Sequence, residues 1–126
     1  MIVGIGVDAV DIDRVKRMFD KNRDRLMLRL LTEGEIAFVS ARALGAQHIA
    51  VRLAAKEATF KALSGNELAR HIGWRDIEVV SKEDGAPEIR LYDRAERRFA
   101  ELEGKRVHVS LTHSDLTAVA VVIIER

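Results

Sequence analysis

The chain has 126 residues, no cysteine and a formal net charge of +1. That length suits one domain, expected to run over 1–126. Disulfides, cysteine-ligated zinc and thiol catalysis are excluded, and no run of about 18 apolar residues could cross a bilayer. The start, Met1-Ile2-Val3-Gly4, lacks a basic segment leading into an apolar one, so no signal peptide is expected and a cytoplasmic location is.

Met1 to Val10 is an apolar run holding Gly4 and Gly6 and leading to Asp8. Val and Ile favour a strand, and glycines let other backbone come close. Gly4-Ile5-Gly6-Val7-Asp8-Ala9 also fits a GxGxxA dinucleotide pattern. That reading is rejected, because no strand of useful length precedes it and no βαβ unit follows.

From Asp11 the period becomes helical, with Ile12, Val15, Met18 and Phe19 on one stripe and Asp11 or Asp13 as cap. The other face carries Arg14, Lys16, Arg17 and Lys21, continued by Arg23, Arg25 and Arg29. From Asp13 to Leu30 basic residues outnumber acidic ones seven to three. Such a face is either merely solvated or a docking surface for an acidic partner. Thr32-Glu33-Gly34-Glu35 reads as a capping box opening a second helix, which Gly45 is expected to end.

A central helix is expected from about His48 to Ser64, with Ser64-Gly65-Asn66 as its stop. Leu53, Phe60 and Leu63 fall on one side of it, and Ala54, Ala58 and Ala62 fall across from them. Small or apolar residues nearly all round imply a buried helix. It nevertheless carries Arg52, Lys56, Glu57 and Lys61, and buried charge needs a partner or an ion. Glu57 and Lys61, four apart, share a face and could simply pair.

The second half reads as strands at Asp76 to Ser81 and Glu88 to Tyr92, joined by a turn through Gly85 and Pro87. A charged helix capped by Asp93 follows and ends at Gly104. Arg106 to Thr112 alternates, and Thr117 to Ile124 is apolar enough to be buried on both faces. The order β-ααα-ββ-α-ββ gives an α+β fold, with a small, mainly antiparallel sheet packed on the central helix.

Asp8 ends an apolar strand, Glu57 and Lys61 sit on an apolar helix, and His113 ends a strand at a hydroxyl-rich loop. Two carboxylates on different elements, with waters and a ligand phosphate, make a typical Mg²⁺ site. A lysine beside it can neutralise charge on a leaving phosphate. His113, Ser114 and Asp115 contain triad residue types, but neighbours in sequence cannot form a triad.

Four stretches taken together resemble a known family. They are Gly4 to Asp8, Arg52-Leu53-Ala54-Ala55-Lys56-Glu57-Ala58 with Lys61, Gly85-Ala86-Pro87, and His108 to Ser114. In this order and length they resemble the short bacterial 4′-phosphopantetheinyl transferases, the holo-[acyl-carrier-protein] synthases. The resemblance implies transfer of 4′-phosphopantetheine from coenzyme A to a serine of apo acyl carrier protein, in fatty acid biosynthesis. Asp8 and Glu57 would hold Mg²⁺, and Lys61 would bind pyrophosphate and assist the leaving group. Arg52, His113 and Ser114 match positions near the nucleotide phosphates. Gly85 and Pro87 match a loop beside the adenine, and Ser64 and Gly65 a loop that approaches the ligand. The helix bearing Arg14, Arg17, Met18, Lys21 and Arg25 would dock the carrier protein. The family forms homotrimers with sites between subunits.

Departures are Ser64-Gly65-Asn66 for Gly-Thr-Gly, Leu53 for Phe, and Ala86 for Lys. The alternative is a non-catalytic basic-helix adaptor for acidic proteins, which would have no need of Asp8, Glu57 and Lys61. Nucleic acid is a poorer partner, because the basic stretch lacks interleaved aromatics apart from Phe19.

Overall fold

The computed structural model describes residues 1–126. Strand β1 (Ile2–Asp11) leads directly into helix α1 (Ile12–Leu30). Helices α2 (Glu33–Ser40), α3 (Gly45–Leu63) and the single turn α4 (Glu67–Arg70) follow. A 3₁₀ turn at Trp74–Asp76 precedes the hairpin β2 (Ile77–Ser81) and β3 (Pro87–Leu91). Helix α5 (Asp93–Glu101) and strands β4 (Arg106–His113) and β5 (Thr117–Glu125) complete the chain. The fold is α+β. All strand pairs are antiparallel, in a three-stranded sheet ordered β1-β5-β4 and a separate β2–β3 hairpin.

Local chemistry explains most boundaries. Asp11, rather than Asp13, caps α1: its Oδ1 accepts from the Asp13 and Arg14 amides at 3.0 and 3.3 Å. Ile12, Val15 and Phe19 are buried along the stripe, while Met18 stays exposed. The expected capping box at α2 is present, with Thr32 Oγ1 accepting from Glu35 N and Glu35 Oε1 from Thr32 N.

Three expectations need correction. Gly45 opens α3 instead of closing α2, which stops at Ser40; His48 N donating to Leu44 O begins the new ladder. The expected stop holds, with α3 ending at Leu63 and Ser64 as its cap, and Asn66 beyond it caps α4, its Oδ1 accepting from Ala69 N at 2.9 Å. Asp93 does not cap α5: it has a left-handed φ of 50° and lies inside the helix after Tyr92. Finally, β5 is buried on one face only. Ala118, Ala120, Val122 and Ile124 are fully buried, but the residues between them are half-buried.

Register explains that alternation. Gly4, Gly6, Asp8 and Val10 of β1 lie opposite Ile124, Val122, Ala120 and Ala118 of β5, so they share the face packed on α3. A Cβ on Gly4 or Gly6 would run into the Ala62 or Ala58 carbonyl. Glycine on the strand and alanine on the helix thus bring the two backbones close. The outer face presents Ile5 and Val7 of β1 beside Val121 and Ile123 of β5.

Candidate active site

Because side chains alternate along a strand, the glycines that admit α3 also set the direction of Asp8. It emerges on the α3 face two residues beyond Gly6, beside the last turns of α3. Those turns carry Glu57 and Lys61. Lys61 Nζ donates to Asp8 Oδ1 at 3.1 Å and to Val7 O at 2.9 Å. The expected alternative, a simple Glu57–Lys61 pair, is not made; the lysine crosses to the strand instead.

Asp8 Oδ2 is buried and, while Glu57 is ionised, meets no donor. Glu57 faces it. Two carboxylates this close cannot both ionise without a cation or a shared proton. The hydrogen bond with Asp8, then burial, pushes Glu57 up to about 7 from 4.5. Burial pushes Asp8 up too. Hydrogen bonds from Glu57 and Lys61, with the charge of Lys61, outweigh it and hold Asp8 below its ordinary value. No third carboxylate, histidine or cysteine joins the pair. The donor set and the orphaned oxygen suit Mg²⁺, which takes one or two carboxylates and keeps waters and phosphate oxygens.

Glu57 also lines an open cavity of about 350 Å³ between α1 and α3. Its walls are apolar, from Val15, Met18, Leu30, Leu53 and Trp74, and Arg14 and Arg29 stand in its lining. Arg14 and, farther along α1, Arg17, Lys21 and Arg25 are exposed, with a kink at Asn22 between the last two. None of them is engaged in an intrachain ion pair.

The remaining candidates lie elsewhere in the chain. Arg52 is 4% exposed and its guanidinium stacks on Phe38 at 3.9 Å. Its Nη1 donates to His48 O, and its buried Nε has no partner. Arg42 stacks on the same ring at 3.4 Å, and His48 packs edge-on against it. Burial, then the two arginines, pulls His48 below its ordinary value. His113 is held by Gln47 Nε2, 2.8 Å from its Nε2. From Gln47 to Lys61 is about 21 Å along α3, at 1.5 Å per residue. Hence His113 and Lys61 do not converge within one chain.

Ser114 Oγ accepts from the Leu116 and Thr117 amides and shapes the β4–β5 turn. Ser64 and Gly65 lie three and four residues past Lys61: Ser64 Oγ donates to Lys61 O at 2.7 Å, and Gly65 has φ +124°. Gly85, with φ +86°, forms the β2–β3 turn ahead of Pro87. Neither residue is near the acidic pair in sequence or in sheet. Sequence reasoning missed Arg42, Phe38, Gln47 and the partner of Lys56. For Lys56 the signal was there, since a lysine on an alanine-rich buried helix requires an acceptor.

Residues 4–121 match the family model of the 4′-phosphopantetheinyl transferase superfamily. The chain belongs to that superfamily. It is 43% identical over 126 residues to a holo-[acyl-carrier-protein] synthase of Geobacter metallireducens, covering 100% of this chain and 99% of that one. A crystal structure of the Neisseria meningitidis holo-[acyl-carrier-protein] synthase superposes with a TM-score of 0.88 at 28% identity, covering both chains fully. The Bacillus anthracis enzyme, solved in complex with CoA (3′,5′-ADP), superposes with a TM-score of 0.78. It is 34% identical, with 98% of this chain and 96% of that chain covered. In keeping with the sequence, no helix is long and apolar enough to cross a membrane.

Proposed function

We propose that this chain, acting as one unit over 1–126, transfers 4′-phosphopantetheine from coenzyme A to a serine hydroxyl of an apo acyl carrier protein. The product left behind is adenosine 3′,5′-bisphosphate. The observation that carries the reading is the meeting of Asp8, Glu57 and Lys61, with Glu57 also opening into an apolar cavity beside a basic helix. The family match and the relatives' shared name support it.

Arg14, Arg17, Met18, Lys21 and Arg25 form the docking face for the acidic carrier protein. Unpaired, exposed cations along a helix beside an apolar opening suit a partner that brings negative charge and an apolar contact. The serine hydroxyl then gives its proton to a water or carboxylate of the site as its oxygen bonds to the β-phosphorus, and the bridging P–O bond breaks, the bridging oxygen leaving with the nucleotide. Lys61 Nζ, steered by Asp8 and the Val7 carbonyl, meets the charge that gathers on the phosphates. Asp8 and Glu57 would hold Mg²⁺. When bound, the ion supplies charge neutralisation at the pyrophosphate.

Arg52, with Arg42 across the same ring, and His113 receive the nucleotide phosphates. The partnerless Arg52 Nε and the lack of any carboxylate on either arginine support an anion there. Gly85 and Pro87 border the adenine, while Ser64 and Gly65 border the pyrophosphate end. The separation of His113 from Lys61 supports a homotrimer in which the two halves of a site come from different chains. The exposed apolar outer face of the sheet supports the same assembly. The enzyme acts in the cytoplasm, in fatty acid biosynthesis.

The test is the intact mass of an apo acyl carrier protein incubated with this protein, coenzyme A and Mg²⁺, beside a chelator control. Gain of one phosphopantetheine, lost with chelator, is the expected result. Coenzyme A binding without any gain would point to the wrong carrier protein or an inactive relative. Asp8→Asn or Glu57→Gln should each abolish the gain while the protein stays folded.

A further inference from the structure

Lys56 immediately precedes Glu57 and so points about 100° away around α3. It is fully buried, as is Glu35 beneath it. Each of its protons has an acceptor: Glu35 Oε1 at 2.6 Å, Leu30 O at 2.8 Å and Trp74 O at 2.9 Å. Glu35 is equally committed, with Oε1 accepting from Thr32 N and Oε2 from Val79 N, each at 2.9 Å. One ion pair therefore joins α3 to the end of α1, the start of α2, the Trp74 turn and β2.

Two of those acceptors have a further importance. Leu30 and Trp74 are walls of the cavity that also exposes Glu57. The Leu30 carbonyl is one of the last four of α1, which no helical amide can satisfy. Lys56 satisfies it from the side and so fixes where the helix ends. Trp74 is held in the same way, and its ring packs edge-on against Phe60 at 5.1 Å. A buried ion pair is a poor source of stability, because apolar residues of similar volume often do as well. What apolar residues cannot do is hold two carbonyls on separate elements at set places.

We propose that Lys56, oriented by Glu35, is a positioning residue that holds the Leu30 and Trp74 walls of the α1–α3 cavity against Glu57 and so sets affinity for the carrier protein. The link to carrier protein affinity rests on the function proposed above; the holding of the cavity does not.

The test is the double variant Lys56→Met with Glu35→Gln in the full chain. Met removes the donors, and Gln keeps an acceptor for the Val79 amide. Removing both charges avoids stranding one in the core. Trp74 is the chain's one tryptophan and reports on the cavity wall directly. Its emission should shift to the red and its quenching by acrylamide should rise about twofold as the wall loosens. The KM for apo acyl carrier protein should rise about tenfold, with kcat and the KM for coenzyme A within about twofold. If the double variant does not fold, Lys56→Gln paired with Glu35→Gln, which again strands no charge, takes its place in the same measurements. Unchanged Trp74 emission and unchanged KM in a folded variant would overturn the proposal. So would losses that merely track the folded fraction. A wild-type protein that modifies no carrier protein would instead count against the function, and Trp74 alone would then decide the positioning.

Discussion

Lys61 Nζ stands 3.1 Å from Asp8 Oδ1, while Glu57, one turn back on the same helix, makes no ion pair and feels Lys61 and Arg14 only at longer range. The asymmetry divides the two carboxylates, holding Asp8 low and Glu57 at about 7. In chelator the folded protein therefore keeps a proton that the unfolded chain gives up near 4.5. The stability this contributes is complete below the unfolded value and is lost as pH rises through the folded one. Metal-free wild type should lose more of its Tm between about pH 5 and pH 8 than Glu57→Gln does. Mg²⁺ displaces that proton, so its stabilising effect should grow over the same range. Parallel Tm curves for the two proteins would show that the pair is not coupled.

The same site depends on a contact that carries no charge. Gly6 lies against the Ala58 carbonyl, and a Cβ there would push β1 off α3. Gly6→Ala should cost about 1–3 kcal/mol in urea unfolding, the usual range for overpacking. Activity should fall further than the folded fraction does, because Asp8 moves with the strand while Glu57 and Lys61 stay with the helix. Activity that simply follows the folded fraction would mean that the strand re-seats without moving Asp8.

Such contacts mark what can be read from sequence. Gly4, Gly6 and Asp8 are two apart, so their common face follows from strand periodicity alone. The amphipathic stripe of Ile12, Val15 and Phe19 and the capping box at Thr32 are also local patterns, and both are found. Pairings between elements are not local. Glu57 and Lys61 invite each other at four residues' spacing, yet the lysine turns to Asp8, which is 53 residues away in sequence. Lys56 finds Glu35 across another helix. For Thr117 to Ile124, an apolar run looks the same whether both faces are covered by one chain or one of them awaits another. Gly45 misleads because a glycine after an apolar stretch reads as a stop, while the break here falls earlier, at Ser40.

The basic face of α1 and the acidic pair should separate in experiment. Arg14→Glu with Arg17→Glu reverses charge on exposed side chains that make no intrachain ion pair, so folding should be unaffected. The KM for carrier protein should rise at least about tenfold at low salt, with the difference shrinking as salt screens both proteins. Calorimetric binding of coenzyme A should change little, because these arginines lie on α1, whereas Arg52 and His113 are carried by α3 and β4. Equal loss of both ligands would make the helix a structural part of the site instead.

The last expectation concerns the outer face of the sheet. Ile5 and Val7 are 64% and 56% exposed, and across the strand pair they meet Ile123 and Val121. An apolar sheet face of this kind is stable in water only at a cost, which a second copy of the chain removes. Val121→Glu places a carboxylate at its centre without touching the buried side of β5. The variant should fold, shown by unchanged far-UV circular dichroism, yet sediment as a monomer where the wild type sediments as a trimer. Transfer should fall by far more than the modest loss of stability explains, because the chain that supplies Asp8, Glu57 and Lys61 would no longer face another chain's His113. Mixing Val121→Glu with excess wild type should not restore it, since the charge would still bar the variant from the shared face. A wild-type monomer with full activity would refute the shared site, and His113 would then need a role other than phosphate binding at the acidic pair.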